Sequence, residues 1–431
     1  MEWIDAATAA ERLGVKPATL YAYVSRGVLR RRHAEDGRRS LFSAEEVERL
    51  ARRGRPRGQP PELVIESAVT ALGADRHYYR GADALELAGT CAFEAVATWL
   101  WTGDPAALRE REDGHGSRGG HGIGQGGGIG QGGGIGQGSG HGGGGAPWRC
   151  DGEGLRAAEA AQRGLPADLL PLDRLQVITT VLGASDSLRF QLDPASVAAT
   201  GRRLIAGLVD ALPELSEPAG DSIAERLWSR LCPHPATPAL LDALRAALVL
   251  LADHELAAST LAARVAASAR ADPYAVVLTG LGVLGGPLHG GASYAAERLL
   301  AEIAEPGQAA RAVAERIRRG ERVPGFGHSI YKNGDARGAF LLDLVERAAP
   351  GHDLIAASAA LVAEMRRRRL PEHNIDLALA VLAAVARMIP GAGEAIFAVA
   401  RVAGWLAHAT EEYERGTLLR LRASYTGPPI R

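Results

Sequence analysis

The chain is organised around the stretch from Gly325 to Arg337, which reads G-F-G-H-S-I-Y-K-N-G-D-A-R. His328 directly follows a Gly-aromatic-Gly turn, and Arg337 lies nine residues beyond it. Glycine provides the backbone freedom that a tight turn needs, so one short loop can present an imidazole donor and a fixed cation to one small anion. We therefore interpret this segment as a substrate-handling loop.

Three other segments carry candidate site residues. His254 stands in D-H-E-L-A-A-S-T, His289 in G-G-P-L-H-G-G-A and Asp376 in H-N-I-D. The four segments have the order and the approximate spacing found in citrate synthases of the bacterial type, and the resemblance extends from about Arg76 to Gly427. The resemblance implies an all-α protein with the citrate synthase fold, which has a large and a small helical domain.

The resemblance also implies roles for individual residues. Joining an acetyl thioester to a 2-oxo acid requires a base for a weakly acidic methyl group, and donors that stabilise the enolate and polarise the ketone. By the family pattern Asp376 is the base, His289 the donor to the thioester oxygen and His328 the donor to the ketone.

Binding roles follow from the same resemblance. The residues that would hold the two carboxylates of oxaloacetate are His254, Arg337, Arg401 and Arg420. Arg420 would reach into the site of the partner subunit, which implies a homodimer, and Lys332 would meet the phosphates of coenzyme A. The implied partners are acetyl-CoA and oxaloacetate, with no cofactor beyond the coenzyme A thioester and no metal.

Each of these residues has an ordinary structural explanation as well. A histidine beside Glu255 at a helix end can be a cap or an ion-pair partner, and isolated arginines such as Arg401 and Arg420 are commonly surface charges. Their co-occurrence decides the matter, because packing needs do not explain three histidines, one aspartate and three arginines in the family order.

Several positions depart from the family pattern. The loop reads D-A-R where the family usually has D-P-R, and Ser329 stands where the family has arginine. The family carries asparagine in place of Ala257 and often in place of Ser293, and proline in place of Leu421. None of these changes removes a catalytic group. We expect the lost proline to loosen Arg337 and the lost arginine to weaken coenzyme A binding.

The composition indicates a globular protein with two or three domains, because 431 residues with a hydrophobic fraction of 46% can bury a large core. Residues 1–59 carry 13 Lys and Arg against 8 Asp and Glu, so a basic module precedes an acidic body. The three cysteines lack C-x-x-C spacing, which disfavours a disulfide framework or a zinc site. The sequence contains no apolar run of the roughly 18 residues that a membrane span needs, and we expect a cytoplasmic protein.

The N-terminal part has the pattern of a small DNA-binding module. The sequence predicts a helix from Asp5 to Leu13, a turn, a second helix from Pro17, a basic hairpin around Asp36-Gly37, and a third helix opened by a capping box at Ser43. This order resembles the winged helix-turn-helix of the MerR and excisionase type. The alternative is a docking domain whose arginines form a solvated face.

Double-stranded DNA is the partner that this second resemblance implies. The residues on or beside the recognition helix would be Lys16, Thr19, Tyr21 and Tyr23. The wing residues that would neutralise phosphates are Arg30, Arg31, Arg32, Arg38 and Arg39.

The domain organisation follows from composition. We predict a winged helix-turn-helix domain at 1–55, a linker at 56–75 and a citrate synthase domain at 76–431, with the small domain at roughly 260–372. Within it, residues 114–146 are glycine-rich, and such a run has little to bury against a large loss of backbone entropy, so we expect an insertion that is disordered. The three histidines in this run lack partners at ligand spacing and predict no metal site.

The body after Trp148 is expected to be helical, because alanine and leucine dominate and no alternating strand pattern occurs. Thr237 caps and Pro238 starts a helix whose leucines face the core and whose end delivers His254. A second helix is predicted from Ala258 to Ser268.

Three functions remain in view. The first is a citrate synthase with a DNA-binding regulatory module, and the second is a 2-methylcitrate synthase. The third is a transcription regulator that uses a citrate-synthase-like body as a sensor of acyl-CoA or oxaloacetate. The intact His289, His328 and Asp376 favour catalysis, whereas the winged module and the altered coenzyme A loop favour sensing.

Overall fold

The computed structural model describes residues 3–13, 15, 20, 23–24, 29–33, 40–47, 64–109, 148–303, 305–421, 423 and 426–427. The chain divides into two compact units, Met1–Glu66 and Ser67–Arg431. Several predictions lie outside the described residues: most of the second N-terminal helix with Lys16, Thr19 and Tyr21, the hairpin turn with Arg38 and Arg39, the linker up to residue 63, and the glycine-rich run at 114–146.

The first unit contains helix α1 (Ala6–Leu13) and three strands, β1 (Trp3–Asp5), β2 (Arg31–His33) and β3 (Ser40–Ser43), and residues 44–47 are also helical, where the third helix was predicted. The backbone N–H of Thr8 donates to the Asp5 carboxylate at 2.8 Å, which confirms the predicted cap. β2 and β3 pair antiparallel as the predicted basic hairpin, and β1 pairs on the other side of β3, an addition that the sequence did not predict. A small core includes Leu20, Leu29 and Phe42.

The second unit is almost entirely helical, as predicted. Its described strands form one antiparallel sheet near the start: β4 (Thr70–Leu72), β5 (His77–Tyr79) and β6 (Ala82–Asp83). Residues 67–75, which lie in the predicted linker, belong to this unit and contain β4. None of the helices in the described ranges is long and apolar enough to span a membrane.

The helices of the second unit follow in chain order: α2 (Ala84–Thr90), α3 (Phe93–Thr102), α4 (Gly152–Gln162), α5 (Pro171–Ser185), α6 (Pro194–Asp210), α7 (Ile223–Leu231), α8 (Pro238–Leu251), α9 (Ala258–Ser268), α10 (Pro273–Leu284), α11 (Gly291–Ala301), α12 (Ala309–Arg318), α13 (Ala336–Ala348), α14 (Asp353–Arg367), α15 (Ile375–Ala386) and α16 (Ala392–Arg415). The predicted cap of α8 is confirmed, because the Thr237 hydroxyl accepts the N–H of Leu240 at 3.3 Å. The predicted second helix is α9.

Helix α16 forms the centre of this unit and packs against α3, α6, α8, α9 and α10. Almost all of its residues are buried, including the charged or titratable side chains of Glu394, Arg401, His408 and Glu412. Gly404 lies in the middle of α16, where any side chain would collide with the carboxylate of Asp253 and the carbonyl of Ala252. This close approach brings α16 against the turn that follows α8 and presents His254.

A buried ionic network holds the same turn from behind. The Nε2 atom of His408 lies 3.2 Å from the carboxylate of Asp253, and its Nδ1 accepts from Arg264 at 2.7 Å. Arg264 also donates to Glu411 at 2.6 Å and to Glu412 at 2.7 Å, and its side chain is fully buried. The network joins α9 to α16 and fixes the residue that precedes His254.

Candidate active site

The loop 325–337 is held against the segment that leads into α15. The N–H of Gly327 donates to Glu372 O at 2.8 Å, and the side-chain amide of Asn374 donates to Gly327 O at 2.9 Å. Gly325 has φ +81°, and an added Cβ there would lie 2.9 Å from the Cβ of Leu377, so only glycine fits. The turn glycine thus allows the loop to lie directly on the start of α15.

Arg337 is fixed inside this loop by its neighbour Asp335. Two guanidinium nitrogens donate to the Asp335 carboxylate at 2.9 and 2.8 Å, and both residues are 2% exposed. The same carboxylate accepts the N–H of Ile375 at 3.2 Å. The expectation that the missing proline loosens Arg337 is therefore wrong, because burial and the paired hydrogen bonds hold the side chain without it.

His328 is a neutral donor whose tautomer is set by the backbone. Its Nδ1 accepts the N–H groups of Ile330 and Tyr331 at 3.0 and 3.2 Å, so the ring proton belongs on Nε2. Burial, together with the nearby cation of Arg337, lowers the pKa of His328 to about 4. Nε2 lies 3.4 Å from an Nη atom of Arg337, so two donors converge where one acceptor oxygen could receive both.

His254 lies at the end of α8 and contacts the loop directly. Its Nε2 is 2.9 Å from the hydroxyl of Tyr331, and its ring meets the ring of His328 at 5.4 Å between centroids. Burial and Arg337 hold the pKa of His254 well below the usual range, so it is neutral. His254 was also considered as a helix cap or as an ion-pair partner of Glu255. Its ring instead hydrogen-bonds to Tyr331.

Arg401 projects from α16 and is a buried cation with unused donors. Its Nε donates to Leu251 O at 2.8 Å, and its guanidinium lies 4.7 Å from the ring centroid of Phe397. Within the described chain, its Nη1 and Nη2 atoms have no hydrogen-bond partner, although the residue is only 1% exposed. Burial lowers the pKa of Arg401 to about 10, which leaves it charged at neutral pH.

His289 stands on the connection between α10 and α11, where the sequence predicted it. Its Nε2 lies 2.7 Å from the hydroxyl of Ser259, which accepts the indole N–H of Trp405 at 3.2 Å. Because Ser259 already accepts one hydrogen bond, its own proton can go to Nε2, which leaves Nδ1 as the N–H of His289. Burial lowers the pKa of His289 to about 4.

Asp376 occupies the first turn of α15 and is 9% exposed. Its carboxylate accepts a hydrogen bond from the hydroxyl of Ser293 at 2.6 Å. Burial raises the pKa of Asp376 to about 6, against the opposing effects of Ser293 and Arg337. A carboxylate with this pKa is a stronger base than an exposed aspartate and is still ionised at neutral pH.

Two predicted residues lie apart from this cluster. Lys332 is exposed on the loop, and its ammonium donates to His328 O at 3.2 Å. Arg420 is exposed in the segment after α16 and does not join the other carboxylate-binding residues of the same chain. No group of His, Cys, Asp or Glu in the described ranges is arranged to hold a metal ion.

The sequence did not predict the residues that hydrogen-bond to the side chains of this site: Ser259, Ser293, Tyr331 and Asp335. Ser259, Tyr331 and Asp335 lie inside the segments quoted for the resemblance, but their contacts involve residues distant in sequence, such as the bond between Ser259 on α9 and His289. His77 belongs to β5 and carried no motif signal.

Comparison with known proteins places this geometry in a family. The family description "Citrate synthase, C-terminal domain" matches residues 62–422, which is most of the chain. The chain belongs to the citrate synthase family. Residues 3–55 match a helix-turn-helix domain, in agreement with the strands and helix of the first unit.

Relatives within the citrate synthase family carry two kinds of name. Citrate synthase 2 of Bacillus subtilis is 34% identical over 275 residues, which are 60% of this chain and 73% of the relative. 2-Methylcitrate synthase 2 of Corynebacterium glutamicum is 28% identical over 281 residues, which are 61% of this chain and 73% of the relative. Membership of the citrate synthase family is thus shown, and the acyl substrate is not decided by these names.

Solved citrate synthases share the fold. The enzyme of Thermotoga maritima superposes with a TM-score of 0.65 and 25% identity, covering 87% of this chain and 96% of that one. The citrate synthase of Thermoplasma acidophilum, solved as a ternary complex with carboxymethyl coenzyme A and oxaloacetate, gives a TM-score of 0.66 at 22% identity, covering 86% and 96%, and supports the fold alone.

The first unit of this citrate synthase family member presents basic side chains on its described hairpin. Arg30, Arg31 and Arg32 are exposed. The Glu46 carboxylate accepts from the backbone N–H of Arg30 at 2.7 Å and also pairs with its guanidinium, whereas the Arg32 guanidinium lies 4.5 Å from the ring centroid of Trp3. Tyr23 is half-buried and packs against the core of this unit.

Proposed function

We propose that the protein condenses acetyl-CoA with oxaloacetate and water to give citrate and coenzyme A. The observation that carries the proposal is the pair of Nη atoms of Arg401, which have no hydrogen-bond partner within the described chain although the guanidinium is buried beside neutral histidines. Buried donors of a charged group are costly to leave without acceptors, and an anionic ligand would supply the acceptors that these two Nη atoms lack. Arg337, whose charge is paired with Asp335, still presents an Nη atom 3.4 Å from Nε2 of His328, so a second carboxylate, such as that of oxaloacetate, would find donors there.

Proton transfer is assigned to Asp376. Removing a proton from a thioester methyl is difficult for a carboxylate, and each unit of pKa mismatch costs about 1.4 kcal/mol. The raised pKa of Asp376, about 6, reduces that mismatch. His289 would donate from Nδ1 to the thioester oxygen and stabilise the enolate, since its Nε2 is occupied by Ser259. The base and the donor then share the work of enolate formation.

The ketone of the 2-oxo acid would receive the Nε2–H of His328. His289 and His328 both have pKa values of about 4, so at neutral pH each is a neutral imidazole that donates its single N–H. His254, Arg337 and Arg401 would bind the carboxylates and hold the ketone against the enolate, which supplies the proximity that the condensation needs. Lys332, exposed on the same loop, is suited to a phosphate of coenzyme A.

A homodimer is part of this proposal. Leu261 and Val265 on α9 are 39% and 46% exposed, and Leu418 and Leu421, which flank Arg420, are 60% and 70% exposed. Exposed large apolar side chains of this kind suit a second copy of the chain. Arg420 would then bind a carboxylate in the partner subunit's site, which explains its position away from the other arginines.

Acyl preference is tested by following free thiol release in the presence of oxaloacetate, with acetyl-CoA and propionyl-CoA in parallel. We expect kcat/KM for acetyl-CoA to exceed that for propionyl-CoA by at least about tenfold, because one extra methylene group in a fitted pocket usually lowers kcat/KM by at least that factor. The reverse order would identify a 2-methylcitrate synthase. No oxaloacetate-dependent release from either thioester would contradict an enzymatic role and favour the sensor.

DNA binding is a second proposed function of the same chain, and the helix-turn-helix match at residues 3–55 with the basic hairpin β2–β3 supports it. Arg31 and Arg32 would neutralise phosphates, while the charge of Arg30 is already balanced by Glu46. Two copies in a dimer would read a two-fold symmetric operator.

We expect replacement of Arg31 and Arg32 by glutamine to weaken DNA binding for every sequence and to reduce the slope of log affinity against log salt by about 0.9 for each phosphate that is no longer neutralised. Arg30→Gln is the matched control and should have a smaller effect. Gel-shift titration of genomic fragments at two salt concentrations measures both.

Absence of retardation at low salt would contradict DNA binding. A change of more than about tenfold in DNA affinity on adding oxaloacetate, or 1.4 kcal/mol of coupling, would favour the regulator over the enzyme.

A further inference from the structure

His77 is a buried histidine that the reaction described above does not use. It lies on β5, and its side chain is fully buried. Its ring contacts the ring of Tyr79 at 4.8 Å and the ring of His254 at 5.3 Å between centroids. Within the described residues neither ring nitrogen, Nδ1 or Nε2, has a hydrogen-bond partner.

The fold does not need an imidazole at this position. Tyr79, two residues further along the same face of β5, already anchors the end of α8, because its hydroxyl donates to Val249 O at 2.8 Å and accepts the N–H of Asp253 at 3.1 Å. A neutral imidazole carries one donor and one acceptor, and burying both without partners destabilises a folded chain. An aliphatic side chain would fill the same space without that penalty.

The surroundings of His77 relate it to the anion site. Burial and the cation of Arg337 hold the pKa of His77 well below its usual range, and Arg401 acts in the same direction. The ring is therefore neutral and keeps both a donor and an acceptor. The neighbouring His254 has its Nε2 occupied by Tyr331 in the ligand-free chain. A ligand carboxylate that attracts His254 away from Tyr331 would reorient the ring that faces His77.

We propose that His77 is a positioning residue for the 2-oxo acid site, which hydrogen-bonds to His254 once a bound dianion turns that ring towards the substrate. The inference rests on the proposed binding of oxaloacetate at Arg337 and Arg401. It gives one of the two unsatisfied nitrogens of His77 a partner in the bound state, so ligand binding gains a hydrogen bond that the free chain lacks.

The test is the full-length variant His77→Leu, with oxaloacetate as the probe in calorimetric titration and in steady-state kinetics. We expect the dissociation constant and KM for oxaloacetate to rise at least about tenfold, with kcat changed less than about threefold, because one hydrogen bond that orients His254 is removed. The melting temperature of the ligand-free variant should equal or exceed that of the wild type. His77→Gln or His77→Asn, which keep a donor and an acceptor, should restore binding.

Tyr78→Phe is the control, since Tyr78 lies on the same strand with its side chain on the opposite face, and it should bind oxaloacetate as the wild type does. A Leu variant that binds normally would overturn the inference, as would one that unfolds or melts below the wild type, or failure of both amide variants to restore binding. A wild-type chain that does not bind oxaloacetate would instead refute the proposed function.

Discussion

Replacing Asp376 with alanine is expected to lower kcat at least about 100-fold, while the dissociation constant for oxaloacetate stays within a small factor. The reason is geometric and electrostatic. Asp376 is the buried carboxylate whose pKa is raised to about 6, and its removal leaves no other assigned base for the thioester methyl. Steady-state kinetics and calorimetric titration separate the two effects. The exposed Asp353, which also lies in the first turn of a helix, provides the control Asp353→Ala, which should behave as the wild type.

The pH profile gives an independent check on the same residue. Asp376 must be ionised to act, so kcat/KM should fall as the pH falls through about 6, the pKa to which burial raises this group. The Ser293 hydroxyl donates to the carboxylate and lowers that pKa. Ser293→Ala should therefore move the acidic limb to higher pH. Near-normal kcat in Asp376→Ala, or an acidic limb that Ser293→Ala leaves in place, would remove Asp376 from the mechanism.

Replacing Arg401 with methionine is expected to raise the dissociation constant for oxaloacetate at least about 100-fold without lowering the stability of the free chain. A charge-assisted pair with a buried carboxylate is worth about 2–5 kcal/mol when one partner is truncated. In the free chain the substitution loses one hydrogen bond to Leu251 O, about 1 kcal/mol, but it also removes a buried charge whose two Nη atoms lack partners.

Arg264 is the matched control, because it is equally buried but hydrogen-bonds through Nε and Nη1 to His408 and to two carboxylates, Glu411 and Glu412. Arg264→Met should lower the free energy of unfolding by about 3–5 kcal/mol, since it leaves buried carboxylates without their cation. Chemical denaturation and calorimetric titration of both variants test the contrast. Equal destabilisation of the two variants, with unchanged oxaloacetate affinity in Arg401→Met, would show that Arg401 is a structural cation.

Much of the fold could be predicted from local signals. The Asp5 and Thr237 caps, the basic hairpin and the helical body after Trp148 all depend on residues close in sequence, and the structure has them where the pattern indicated. Strand β1 was missed because its partner, β3, lies more than thirty residues away and three residues carry little periodicity.

The orienting contacts of the site were not predictable in the same way. Arg337 was expected to be loose because a proline is missing, yet Asp335 holds it, and that hydrogen-bond geometry cannot be read from spacing alone. The tautomers of His289 and His328 depend on Ser259 and on two backbone N–H groups. His77 was not singled out by any motif. Its role is inferred only from its two buried ring nitrogens, which have no hydrogen-bond partner among the described residues.

Citrate formation is tested most directly by identifying the products of a single-turnover reaction of the purified full-length protein with acetyl-CoA and oxaloacetate. We expect one free coenzyme A thiol and one citrate for each active site, formed only when both substrates are present and absent in Asp376→Ala on the same timescale. Thiol release that is independent of oxaloacetate, or tight oxaloacetate binding with no citrate formed, would contradict this expectation.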